Sequence, residues 1–300
     1  MLTRVGDFAQ HQRMTQLLLD AQTRAREAQV QIGTGKVAQR FREIAPDADR
    51  LLATKDTLHQ IRQYRANNDL VAKRLELMES SAGSLHELGS RLRVLLIQRL
   101  DAASSIPGVI TPELQHLLEQ AVSDLNVEFG GRFLFSGTRT DTPPVALDPA
   151  FAAFGSPDDT YYQGDAVVLS VRADTDREVA YGMTADRPGF QELIGALRAA
   201  LAGDASDDRA LLESALDLVT AALPKISDDR SELGAGQAAL ERINFGHADA
   251  EVYLQRQISD IENVDLSEAI TRMSQDQMVI ESAMATIARL NQVTLADFLR

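Results

Sequence analysis

Cysteine is absent from the 300-residue sequence, which excludes a disulfide framework, a thiolate nucleophile and a Cys-based zinc site. Tryptophan is absent too, and 5 Tyr with 10 Phe supply few large side chains for a single thick core. No run approaches the roughly 18 apolar residues of a membrane span. The start, Met1-Leu2-Thr3-Arg4-Val5-Gly6-Asp7, has no apolar h-region, so export by a cleaved signal of the common type is not expected. A positive surplus is also lacking: the net charge is −14 and the pI near 4.8. That balance argues against sequence-independent nucleic-acid binding, which needs clustered Lys and Arg on phosphate.

What remains is a 44% hydrophobic chain rich in Ala, Leu, Gln, Arg and Glu, a composition suited to long helices. Residues 2–32 contain no proline, and Met14, Leu18, Ala21, Ala25, Ala28 and Ile32 recur at gaps of four and three, a narrow helical seam. Gly33-Thr34-Gly35 stops that helix, because glycine reaches left-handed conformations freely. Residues 47–104 read as one long helix with Ile61, Tyr64, Asn68, Val71, Leu75, Met78, Ala82 and Leu85 on its seam. Ser104-Ser105-Ile106-Pro107-Gly108 breaks it. Thr111-Pro112-Glu113 restarts a helix to about Phe129, with a capping hydroxyl and proline in the first turn.

The character then changes. Four of the nine prolines (Pro143, Pro144, Pro149, Pro157) interrupt residues 132–187, where Thr160-Tyr161-Tyr162 and Val167 to Val171 are β-prone and Gly164-Asp165 reads as the turn between them. Residues 141–208 hold 13 acidic and four basic side chains, so this part is expected to face solvent. Helices resume near Pro188, with a stripe from Leu212 to Ile261 that Pro224 restarts or kinks. Arg230, Gln237, Asn244, His247 and Glu251 make that stripe incomplete. From Leu266 a 4-3 spacing continues to Phe298.

The expected fold is mainly α: an elongated antiparallel helical bundle or coiled-coil rod built from the N- and C-terminal segments, with a small β-rich insert in the middle. The expected divisions are 1–46, a terminal helix and connector partly disordered before assembly; 47–131, half of the rod; 132–187, the insert; 188–257, the second half; and 258–300, a coiled-coil helix. Narrow seams leave isolated helices marginal, so the ends should need each other or neighbouring copies. Residues 1–40 carry six basic and three acidic side chains, whereas 258–300 carry three and seven, which lets the ends attract. The candidate interface is therefore the seam of Met14, Leu18 and Ile32 with Leu266, Ile270, Met273, Ile280, Met284, Ile287 and Phe298.

Catalytic chemistry finds little support. Gly33-Thr34-Gly35-Lys36 lacks the earlier glycine of a P-loop, has Val37 where a magnesium-holding hydroxyl belongs, and follows a helix rather than a strand. His11, His59, His86, His116 and His247 share no ligand spacing and read as exposed helix positions. Asp204, Asp207 and Asp208 lack a calcium-loop pattern and read as acidic groups at a helix start. The last helix is too acidic for a membrane-surface face. No catalytic residue, cofactor, metal or membrane contact is assigned, and the chain is not expected to be an enzyme.

Several of these segments resemble the flagellin superfamily. Gln31 to Lys36 is similar to that family's S/N-T-G-K turn, Leu75 to Leu88 to its second helix, and Val264-Asp265-Leu266-Ser267-Glu268-Ala269 through Leu290-Asn291-Gln292 to Phe298-Leu299-Arg300 to its final helix. Within it, Gly130-Gly131-Arg132-Phe133-Leu134-Phe135-Ser136-Gly137-Thr138-Arg139-Thr140 resembles the G-R-Y-I-F-A/S-G-x-x-T segment of the hook-associated protein 3 family. The resemblance implies a secreted structural subunit of the bacterial flagellum, exported by the flagellar type III system, that joins hook to filament. Implied partners are other copies of itself in a ring, a neighbouring hook-associated protein, flagellin, and an export chaperone at the C-terminal region. The alternative is flagellin itself.

Overall fold

The structure, a computed structural model, describes residues 2–40, 45–101, 107–149, 151, 152 and 154–298; the side chains of 2–10, 45 and 290–298 lie outside that description. The elements are α1 (Leu2–Thr34), α2 (Ala45–Asp101), α3 (Thr111–Leu125), β1 (Leu169–Asp174), β2 (Arg177–Tyr181), α4 (Pro188–Ser206), α5 (Arg209–Glu262) and α6 (Leu266–Phe298). They divide into two compact units, one of residues 1–59 with 250–300 and the other of residues 60–249.

In the first unit α1 packs along α6. Small side chains make this close approach possible: Ala21, Ala28, Ala269 and Ala283 are buried, as expected where two helix backbones come near each other. Leu51 and Leu58 of α2 are also buried here.

The second unit holds the larger core. Leu75, Met78, Leu85, Leu92 and Leu96 line one side of α2, and Leu114, Leu117, Ala121 and Leu125 form the apolar stripe of α3. With Phe135, Tyr161, Phe190, Leu193, Leu197, Val219 and Ile226 they make one continuous cluster. The spacing read from the sequence thus marks the buried face of α2, Asn68 included.

Three local expectations change, and a fourth falls where the structure gives no description. Residues 102–106, which hold most of the proposed α2 breaker, lie outside the described residues. At α3 the N-cap is Ile110 without a side-chain cap; the Thr111 hydroxyl instead donates to Asp204 Oδ2 at 2.8 Å. The helix also stops at Leu125, because residues 126–134 fold back on themselves: Glu128 bridges Phe133 and Leu134 N–H donates to the Val127 carbonyl at 3.1 Å. Pro224 interrupts nothing. It removes a helical N–H donor, but Val219, Ala222, Leu223 and Ile226 are buried around it, and that packing carries α5 through.

The insert is less β-rich than expected. Its one sheet among the described residues is the antiparallel β1–β2 hairpin, running from Leu169↔Tyr181 to Asp174↔Arg177. The turn therefore lies at Thr175-Asp176, not at Gly164-Asp165. Tyr162 contributes an isolated bridge to Val145, and its hydroxyl donates to the Asp165 carbonyl at 2.6 Å.

Candidate functional site

The stop after α1 is built by a left-handed Gly35 (φ 70°) whose N–H donates to the Gln31 carbonyl at 2.8 Å. This turns the chain toward the junction of α5 and α6. Val37 N–H donates to the Glu262 carbonyl at 2.8 Å, Val264 N–H donates to the Gly35 carbonyl at 3.1 Å, and Lys36 pairs with Asn263. The Lys36 ammonium reaches Glu262 Oε2 at 2.8 Å and Asn263 Oδ1 at 3.0 Å, while Lys55 of α2 holds the other Glu262 oxygen. Gly33 to Lys36 is therefore a clasp whose lysine binds a carboxylate of the same chain.

Burial alone would push the Glu262 carboxyl up, but its bonds from Lys36 and Lys55 outweigh that and hold it below its ordinary value of 4.5. A depressed carboxylate pKa contributes stability that is present above the ordinary value and lost as pH falls through the folded one. Replacing Glu262 by Ala is expected to cost about 1 kcal/mol, a modest figure because both lysines are well exposed and screened. Hydrogen exchange at the Val37 and Val264 amides should rise about fivefold at neutral pH. Below the ordinary glutamate range wild type and variant should converge; equal exchange at neutral pH would show the clasp to be inert.

Farther along the pair, the Arg24 guanidinium of α1 meets Asp276 Oδ1 of α6 at 2.8 Å. The candidate interface residues divide into two sets. Met14, Leu18, Ile32, Met273, Ile280 and Ile287 are half-buried, whereas Leu266, Ile270 and Met284 remain exposed at 49%, 48% and 50%. The side chain of Phe298 lies outside the described residues. Ala25 and Ile32 of α1 and Met273 and Ile280 of α6 line one open groove, edged by Gln22, Arg26, Gln29 and Gln277. The positions of α6 that are most covered within the chain, Ala269, Asp276 and Ala283, sit to one side of the 4-3 series. The apolar face of α6 is thus wider than α1 covers.

In the second unit the Gly130 to Thr140 segment is anchored from several sides. Phe135 is fully buried, edge-on to Phe190 with ring centroids 6.0 Å apart, and its carbonyl accepts from Ala185 N–H at 2.9 Å. Asp165 binds the Thr138 N–H at 3.0 Å, the Thr138 hydroxyl and the Val167 N–H at 3.1 Å. These bonds, the Thr138 hydroxyl first, hold the Asp165 carboxyl below the usual range.

Three polar members of the α5 stripe, Arg230, Asn244 and His247, have polar partners within the second unit. Asn68 donates to the Asn244 side chain and to the Ala173 carbonyl of β1, both at 3.0 Å, and the His247 Nε2 lies 3.0 Å from that same carbonyl. His247 is buried and stacked on Tyr64 at 5.9 Å, which corrects its assignment as an exposed position. Arg230 binds Glu79. The acidic triplet divides as well. Asp208 Oδ1 caps Ala210 N–H at 2.9 Å, as expected for a helix start. Asp204 is instead buried against Arg99, and Asp207 ends α4 in a left-handed conformation (φ 53°).

Among the described residues no group of three metal-ligating side chains converges, and no helix is long and apolar enough to cross a membrane.

Residues 216–299 match the family model for the bacterial flagellin C-terminal helical region. A flagellin from Halalkalibacterium halodurans is 25% identical over 240 residues, spanning 77% of this chain and 84% of that protein. Among solved structures, FlgL of Bacillus cereus superposes with a TM-score of 0.57 at 18% identity, over 70% of this chain and 99% of its own. A flagellar hook associated protein-3 from Legionella pneumophila gives 0.55 at 15%, again over 70% and 99%. The family match is thus to a flagellin helical region over residues 216–299, and the chain shares the fold of the hook-associated structures.

Proposed function

We propose that this flagellin-superfamily chain is a structural subunit of the bacterial flagellum that joins hook to filament, assembling through its terminal helices outside the cell after type III export. The observation that carries this reading is the unfinished face of the α1–α6 pair. Leu266, Ile270 and Met284 stand exposed beside a groove floored by Ala25, Ile32, Met273 and Ile280. A two-helix pair with an open apolar side buries too little surface to be stable alone. Further helices of the same kind complete it, which suits a ring of copies with other flagellar subunits on either side. The Gly130 to Thr140 segment favours the junction role over that of the filament subunit. An export chaperone at the C-terminal region would cover the same apolar face before assembly. No catalytic role is proposed.

Deleting the gene should leave hooks in place while filaments detach and flagellin accumulates in the medium; normal filaments on the deletion strain would defeat the proposal. Complementation with Ile270→Asp should fail, since the charge would be buried only on assembly. Ile270 is 48% exposed within the chain, so the variant should export and keep wild-type helicity. Purified protein that extends filament seeds unaided would instead identify a filament subunit.

A further inference from the structure

The unit of residues 60–249 carries two apolar features that its own packing leaves unmatched. One is a pocket walled by Met78, Phe133, Leu134, Leu169, Tyr181 and Met183, with Arg74 and Arg132 bordering it. Its space, about 440 Å³ with the open mouth included, takes one large side chain, whereas a helix about 10–12 Å across does not enter. Two of the walls are methionines, unbranched and polarizable, which adapt to an aromatic ring, and a guanidinium is attracted to the face of such a ring. The Arg74 guanidinium is held by the Tyr181 hydroxyl at 3.1 Å, while Arg132 is exposed.

The other feature is Phe245 of α5, the most exposed large apolar side chain among the described residues at 75%. A lone exposed ring signifies little; here its surroundings match those of the pocket. Glu241 and Asp249 stand one turn before and after it, exposed and without an ion pair among the described residues. Both lie about 40° from Phe245 round the helix, nearer than Arg242 at about 60°. An aromatic side chain flanked by two carboxylates complements an apolar pocket bordered by two guanidinium groups. The two features do not meet within one chain. By the helical turn of about 3.6 residues, Arg74 and Met78 fall on the side of α2 opposite Asp69, Ala72 and Glu76, which line the groove that Phe245 edges. Complementary patches on opposite faces of one body make a head-to-tail contact, which repeats from copy to copy and closes a ring or continues as a helix.

We infer that Phe245 of one copy inserts into this pocket of a second copy, with Glu241 and Asp249 set against Arg74 and Arg132. The inference rests on the assembly reading above and gives the ring of copies a lateral joint outside the terminal helices.

Replacing Phe245 by the photo-crosslinker p-benzoyl-phenylalanine keeps an aromatic side chain at the position and reacts on irradiation with nearby C–H bonds, those of methionine foremost. In the deletion strain complemented with this full-length variant, flagella irradiated and then sheared from the cells should yield a covalent dimer whose crosslinks map to Met78 or Met183. Adding Arg132→Glu should lower the dimer yield about tenfold, and Glu241→Arg with Asp249→Arg in that same chain should bring it back to within about twofold. Arg132, Glu241, Phe245 and Asp249 are all exposed, so these variants should melt like the parent. Crosslinks that map to α1, α3 or α6, a yield indifferent to Arg132→Glu, or no recovery on reversing both carboxylates would each overturn the inference. A chain present in the sheared flagella but giving no dimer would remove the lateral contact and leave the junction reading in place. A chain absent from them would defeat the junction reading, and the ring contact with it.

Discussion

Replacing Asp204 by Ala is expected to destabilise the unit of residues 60–249 by about 3 kcal/mol, toward the lower end of what breaking a buried ion pair costs. Asp204 is fully buried and Arg99 nearly so, with Arg99 Nε donating to Asp204 Oδ1 at 2.8 Å. Its other oxygen accepts the Ile110 N–H at 3.0 Å and the Thr111 hydroxyl at 2.8 Å, and its own carbonyl takes the Gly108 N–H at 2.9 Å. One carboxylate thus ties the end of α2 and the start of α3 to α4. Alanine would leave a buried guanidinium and two donors short of an acceptor. Arg99 keeps Asp207 at 2.6 Å, which is why the expected cost stays below the upper limit. Asp204→Asn retains an oxygen for the two donors and should cost about half as much. Urea titrations followed by far-ultraviolet circular dichroism would rank the three proteins. Coincident midpoints for wild type and Asp204→Ala would mean that Asp207 and water replace the lost partner.

That carboxylate also shows where a reading of the sequence stops. Helical periodicity reported the faces of α1, α2 and α5 because burial repeats with the turn of the helix, and the glycine after α1 announced its end. The reading of Asp204 as a surface charge at a helix start failed, because its partner Arg99 is 105 positions away. His247 failed for the same reason: a polar residue on a seam looks exposed until Asn68, Asn244 and the Ala173 carbonyl are brought beside it. The hairpin was misplaced because Gly164-Asp165 has the composition of a turn, while the use of Asp165 as a clamp on Thr138 depends on a contact across the fold. Along α6 the 4-3 series holds Met273, Ile280 and Ile287, which are half-buried within the chain. It had no means of separating a side chain covered by α1 from Leu266, Ile270 and Met284, which await another molecule under the proposed function.

Substituting alanine at Gly137 and at Gly33 should give effects of opposite sign. Gly137 has φ 69°, and a Cβ built on it would lie 2.2 Å from Asp165 Oδ1 and 2.5 Å from the Asp165 carbonyl oxygen. The first contact involves a side chain that moves only by giving up Thr138 and Val167, and the second is backbone. Left-handed geometry adds a penalty of its own for any residue with a Cβ. Gly137→Ala should therefore cost about 2–4 kcal/mol, loosen residues 133–140 and 161–167 together, and be read as faster hydrogen exchange in both segments. Gly33 lies inside α1, where the methyl of an alanine would meet no neighbouring atom within 4 Å, and its conformation is helical. There alanine should stabilise the end of α1 by up to about 1 kcal/mol through helix propensity, slowing exchange in residues 28–35. A slowed exchange around Gly137 in its alanine variant would show that the Asp165 clamp yields freely, and the resemblance of Gly130 to Thr140 to the hook-associated segment would then need a cause other than this packing.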